Sequence, residues 1–129
     1  MLDLSLKGKR AVVTGASLGI GEAVVKMLSD HGASVTFCAR NKDSIKNLSD
    51  YKSESPDSKI KGLIADMSDA KSTENFIKET LEDGPIDILV NNVGASPSRN
   101  FLYMSDQDWQ DLHELNLLSA VRCTRSFLP

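Results

Sequence analysis

Thr14-Gly15-Ala16-Ser17-Leu18-Gly19-Ile20-Gly21 lies between an apolar strand pattern and a helical one. Upstream, Arg10-Ala11-Val12-Val13 predicts a short buried strand. Downstream, Ala23, Val24, Met27 and Leu28 recur at helical spacing, so a helix is expected to begin near Gly19. A glycine-rich turn from a strand into a helix aims backbone N–H groups and the positive helix end at an anion, typically a dinucleotide pyrophosphate. Gly15 allows the tight turn, Gly19 the close approach of a ligand, and Gly21 the packing of helix on strand. The spacing G-x-x-x-G-x-G differs from the commoner G-x-G-x-x-G. Three glycines alone make an ordinary turn; the flanking strand and helix are what make this loop a phosphate cradle.

Outward from the loop, the 129 residues alternate strand and helix without a repeat, linker or low-complexity tract. Strands are expected over Arg10 to Thr14, Ser34 to Ala39, Ile60 to Ala65 and Ile86 to Val90. Helices are expected from Gly19 to about His31 and from Lys42 to about Tyr51. A third starts from Ser68 or Asp69 as N-cap and runs to Glu82, and a fourth covers Asp106 to Phe127 with Ser105 as N-cap. This order demands an α/β fold, a Rossmann-type doubly wound parallel sheet. A net charge of −3 and the lack of a Lys/Arg block argue against nucleic-acid binding. Met1 to Arg10 holds no apolar run long enough for a signal peptide, and no segment is suited to span a membrane. Cys38 and Cys123 lack metal-ligand spacing and are expected to be buried thiols in a reducing, cytoplasmic setting; no metal site is expected.

Ligands of such a sheet bind beyond the carboxyl ends of its strands. After strand 2, an NAD site places an acidic side chain for the ribose hydroxyls, whereas here Ala39-Arg40 offers a guanidinium. NADP(H) is therefore expected over NAD(H), with Ser17 adding a hydroxyl to the same phosphate; the alternative is that Arg40 is a solvated surface charge. After strand 3, Asp66 is placed to accept from the adenine amino group and Met67 to cover the ring, although Asp66 also suits a simple helix cap. After strand 4, Asn91-Asn92-Val93-Gly94 can tie neighbouring strands together, and Gly94 lets backbone approach the cofactor. The expected cofactor set is thus Thr14, Gly15, Ser17, Leu18, Gly19, Ile20, Gly21, Arg40, Asp66, Met67, Asn91 and Gly94.

With these motifs the chain resembles the short-chain dehydrogenase/reductase family, in particular its 3-oxoacyl-carrier-protein reductase type. The resemblance covers the whole chain: the Thr14-x-x-x-Gly-x-Gly loop, Asp66, Arg40, and Asn91-Asn92-Val93-Gly94, where valine stands for the usual alanine. It implies carbonyl reduction or secondary-alcohol oxidation on a small molecule, a homodimer or homotetramer, and a catalytic role for Asn116 in holding a proton-relay water. The residues alone place Asn116 inside a stripe of Leu112, Ala120, Cys123 and Phe127, where an amide is costly unless its hydrogen bonds are made.

The family's chemistry also needs a serine and a Tyr-x-x-x-Lys pair. Tyr51 is followed at the fourth position by Ser55 and Tyr103 by Gln107, so neither supplies the pair. A complete fold of this kind has six strands. Residues 1–129 are therefore expected to be the N-terminal cofactor-binding part of one domain, truncated after strand 4 and its helix, with the catalytic half absent and the fragment inactive. A non-catalytic dinucleotide sensor is the alternative. The loop Ala95 to Met104 is expected to lend Phe101 and Tyr103 to a substrate pocket or simply to pack them.

Overall fold

Ala11, Val12 and Val13 are at most 1% exposed, because their strand lies in the middle of the sheet. The computed structural model describes residues 4–96 and 99–129. Four strands, β1 (Arg10–Val13), β2 (Ser34–Ala39), β3 (Ile60–Ile64) and β4 (Ile88–Val90), form one sheet in the order β3-β2-β1-β4. All three pairings are parallel; Val12 stands opposite both Thr36 and Leu89. The order turns back between β1 and β4, so a crevice opens at their carboxyl ends.

Side chains alternate across the sheet and divide the core. Ala11, Val13, Val35 and Phe37 point to one face, where α1 (Gly19–Asp30) adds Val25 and α2 (Lys42–Ser49) adds Leu48. Val12 and Cys38 point to the other, against Phe76 and Ile77 of α3 (Ala70–Glu82) and Cys123 and Phe127 of α5 (Ser119–Phe127). Gly62 makes one close approach possible, since a Cβ there would lie 2.5 Å from Ile45 and 2.6 Å from the Phe37 ring.

The elements follow the sequence pattern to within about two residues at their ends, with a 3-10 turn, Phe101–Tyr103, inside the expected loop; the start of β4 and the fourth helix differ in ways that bear on the site. β4 begins at Ile88 rather than Ile86. The Asp87 carboxylate instead accepts from the Arg10 amide at 2.9 Å, closing the strand end with a side chain. The expected fourth helix is interrupted: α4 (Asp106–His113) passes through a π-helical turn, Glu114–Leu118, into α5. Wider i→i+5 hydrogen bonding shifts the inward set to Ser119, Cys123 and Phe127, which are buried, with Leu115 half-buried against them. Asn116 is consequently exposed, which corrects its placement in the apolar stripe.

Arg10 joins the two ends of the α3–β4 connection. Its guanidinium donates to the carbonyls of Gly84, of Pro85 at 3.1 Å and of Thr80 at 3.2 Å, so a cation sits at the negative end of α3. Among the described residues no helix is long and apolar enough to cross a membrane.

Candidate cofactor site

Helix starts distinguish the crevice from the rest of the molecule. Asn41 caps α2 by accepting from Asp43 and Ser44 N–H, Asp69 caps α3, and Ser105 forms a capping box with Asp108. At α1 the N-cap is Leu18, which makes no side-chain cap bond. The first amides of α1 thus lack the side-chain acceptor that serves α2, α3 and α4, the condition in which a helix start holds an anion; α5 is also uncapped but continues directly from the π turn.

The glycines of the loop have separate duties. Gly15 and Gly19 have φ of +64° and +60°, a conformation that side chains resist. A Cβ on Gly19 would meet nothing within 4 Å, so the surface there is open to a ligand. A Cβ on Gly21 would lie 2.6 Å from the Gly15 carbonyl and 2.5 Å from Asn92 Nδ2, so this glycine is required by packing.

A cavity of about 210 Å³ runs beside this loop. Gly15 and Ser17 of the loop, Cys38, Ala39 and Arg40 at the end of β2, and Ala65, Asp66 and Met67 after β3 line one side. Asn92, Val93, Gly94 and Ala95 after β4, with Leu115 of the π turn, line the other. Of the residues expected from sequence, Gly15, Ser17, Arg40, Asp66, Met67 and Gly94 share this cavity. Leu18 and Ile20 stand beside it, 75% and 76% exposed. Thr14 is buried, with its hydroxyl turned to accept from the amides of Asn92 at 3.1 Å and Val93 at 3.3 Å.

Asp66 is not the cap of α3, a place Asp69 takes. Its Oδ1 accepts from Ser68 Oγ at 2.6 Å and Ser68 N–H at 3.0 Å, which holds its carboxyl below the ordinary carboxylate range; the Arg40 charge adds to this. Asp66 therefore presents a carboxylate to the cavity on the same side as Arg40. Met67 is only 3% exposed and belongs to the core, with Thr73 Oγ1 at 3.8 Å from its sulfur, so it forms a floor rather than a cover. Cys38 and Cys123 are free thiols; burial pushes them up to about 11 and about 12, leaving them protonated and unreactive.

The five residues 91–95 are fastened on both sides. Toward the glycine loop, Asn92 Nδ2 donates to the Gly15 carbonyl at 2.9 Å. Toward the long helix, Asn91 Nδ2 donates to Thr124 Oγ1 at 3.1 Å, so Asn91 turns from the cavity and Asn92 faces it. Asn116 exchanges two bonds of 2.8 Å with the backbone of Ala95. Sequence reasoning gave Asn92 a part in tying neighbouring strands together but left it out of the cofactor set, and it passed over Thr124. The adjacent amide was a signal for the first, and nothing in the pattern marked the second. In the next loop, Phe101, Leu102 and Tyr103 are exposed, with Phe101 edge-on to Trp109 at 6.0 Å; Pro97 and Ser98 lie outside the described residues.

The family model for short chain dehydrogenases matches residues 9–129. The chain belongs to this family. Curated short-chain dehydrogenase relatives include an uncharacterized oxidoreductase, YvrD, of Bacillus subtilis (strain 168), 37% identical over 132 residues that cover 99% of this chain and 48% of that protein. The 3-oxoacyl-acyl-carrier-protein reductase FabG of Escherichia coli (strain K12) is 35% identical over 126 residues, 97% of this chain and 50% of its own. The chain spans about half the length of the curated relatives it matches. Among solved structures, L-sorbose reductase from Gluconobacter frateurii complexed with NADPH and L-sorbose superposes with a TM-score of 0.92 at 29% identity, covering 99% of this chain and 49% of that one. The Pseudomonas aeruginosa RhlG/NADP complex gives 0.83 at 31% identity, covering 100% and 50%. The short-chain dehydrogenase family to which the chain belongs is one of NAD(P)-dependent oxidoreductases.

Proposed function

We propose that residues 1–129 are the cofactor-binding part of an NADP(H)-dependent oxidoreductase that reduces a ketone or oxidises a secondary alcohol on a small molecule. The observation that carries this reading is the start of α1, without a capping side chain, opening beside a cavity that Arg40 also lines. The amides after Gly15 would receive the pyrophosphate, Arg40 and Ser17 the 2′-phosphate, and Asp66 the adenine amino group. Two NADP(H) complexes among the structural neighbours support the cofactor assignment. When bound, the nicotinamide supplies or accepts the hydride.

In this chain Asn116 is the residue assigned to catalysis. Its amide clamps Ala95 and keeps one donor hydrogen and one acceptor lone pair free for a water. The serine and Tyr-x-x-x-Lys pair have no counterpart in these residues, so the 129-residue chain alone is assigned no turnover. Leu117, Val121 and Leu128, at 49%, 41% and 76% exposure, give the oxidoreductase a face for a homodimer or homotetramer. The setting that suits its buried free thiols is the cytoplasm.

Titration of NADPH and NADH into the wild-type chain and Arg40→Ala tests the reading. Arg40→Ala should weaken NADPH about tenfold to a hundredfold and leave NADH unchanged. Equal affinities in the wild type would overturn the preference, and binding of neither dinucleotide would overturn the cofactor assignment.

A further inference from the structure

We propose that Thr124, a residue of α5 outside the expected cofactor set, is a positioning residue for the cavity wall formed by residues 92–94; its binding arm rests on the function proposed above. The wall is a loop, and loops keep one shape only when their polar groups are held. On its inner side Thr14 Oγ1 accepts the amides of Asn92 and Val93, and Asn92 Nδ2 reaches the Gly15 carbonyl. On its outer side, among the described residues, two residues form side-chain hydrogen bonds, Asn116 with Ala95 and Thr124 with Asn91. The first fixes the far end of the strip. The second fixes the residue at which the chain leaves β4, and so sets the direction in which Asn92 enters the cavity. Without the Thr124 hydroxyl, Asn91 is free to turn, and the Asn92 bridge to the glycine loop loses its backing. Thr124 also belongs to the half-uncovered face with Ala120, Val121 and Leu128, so one hydroxyl joins that face to the cavity wall.

Thr124→Val keeps the side-chain shape and removes the acceptor; Thr124→Ser keeps the acceptor. Residue-resolved amide hydrogen exchange on the 129-residue chain should show Asn92 and Val93 exchanging about three to ten times faster in Thr124→Val, as loss of one ordinary hydrogen bond implies, with wild-type rates in Thr124→Ser. NADPH affinity should fall by a similar factor in the valine variant and recover in the serine variant. Asn91→Ala probes the same bond from the loop and remains informative if the valine variant does not fold. The double variant should be no worse than either single one. Unchanged exchange at Asn92 and Val93 in both Thr124→Val and Asn91→Ala would overturn the inference. Wild-type chain that binds no NADPH would instead overturn the proposed function, with the exchange rates still deciding the role of Thr124.

Discussion

β2 buries five of its six residues, whereas all three residues of β4 are only half-covered. The helices repeat this difference. On α1, Glu22 and Lys26 pair at 2.6 Å, and Lys26 lies 5.3 Å from the Tyr51 ring, covering the flank next to α2. The opposite flank of α1 leaves Ile20 and Met27 in solvent, as the π turn leaves Leu117 and α5 leaves Val121 on the other layer. Around β1, β2 and the helices α1 and α2 the sheet thus finds its packing within the described residues, although at the β3 edge Ile64 is 62% exposed. The β4 side presents apolar side chains on both layers beside a strand with a free edge, the arrangement that invites further pairing. The glycine loop sits at the junction, so its internal geometry depends on the finished side while the strip 91–95 depends on the unfinished one.

The sharpest way to break this comparison is at Gly21, which belongs to the finished side. Gly21→Ala should lower the unfolding free energy by about 3 kcal/mol, because the new carbon meets backbone that cannot yield. Urea denaturation checks it, and a loss below half of that would mean the loop adapts. Arg10 comes next, since its guanidinium ties β1 to the end of α3. Arg10→Met should cost about 2 kcal/mol for its charge-assisted bonds, read in the same assay. On the unfinished side, Leu117→Lys with Val121→Glu should reduce self-association seen by light scattering while changing stability by less than about 0.5 kcal/mol. The smallest stability effect is expected at Gly94, where a Cβ would stand 3.4 Å from Asn116 Oδ1, an ordinary contact. Gly94→Ala should leave the urea midpoint unchanged and weaken only NADPH binding.

Acid and alkali sharpen the same contrast, because the finished side contains a pair that titrates at both ends. Asp30 is held below its ordinary value by the Glu54 amide and then the Tyr51 hydroxyl. Its contribution is complete above the unfolded carboxylate range and is lost as pH falls through the folded value, below about pH 4. Tyr51 is raised, chiefly by its hydrogen bond to Asp30. Its contribution is complete below the unfolded value near about 10 and is lost as pH climbs through the folded one. Asp30→Asn should flatten the acid limb of stability against pH, and Tyr51→Phe the alkaline limb.

Legibility followed the same division. The strand-loop-helix around Gly15 was readable because periodicity, glycine spacing and strand burial all report on contacts near in sequence. Ser105, and Asp69 as one of two candidates with Ser68, were readable as caps for the same reason. The π turn was not: helical spacing tolerates steps of three or four, so an extra residue between Glu114 and Leu118 leaves no mark in the apolar pattern. That turn moved Asn116 into solvent. The division of labour between Asn91 and Asn92 was equally hidden, since beyond the end of β4 no alternation fixes side-chain direction. Thr124 became visible only once the sheet and helix were brought together.

The π turn also bears on how the short-chain dehydrogenase helix tolerates change in length. A helix advances by about 100° per residue, so deleting one residue between Glu114 and Leu118 lets the ladder close as ordinary α-helix. If the widened turn already absorbs that extra residue, the deletion leaves α5 facing as it does now, with Cys123 and Phe127 still inward. An insertion of one residue at the same place has no such slack and rotates both out of the core. The segment therefore reads as a one-way splice point: removal of a residue is expected to cost less than addition, the reverse of the behaviour of a surface loop, and the Asn116 clamp on Ala95 is what the shortened helix would give up.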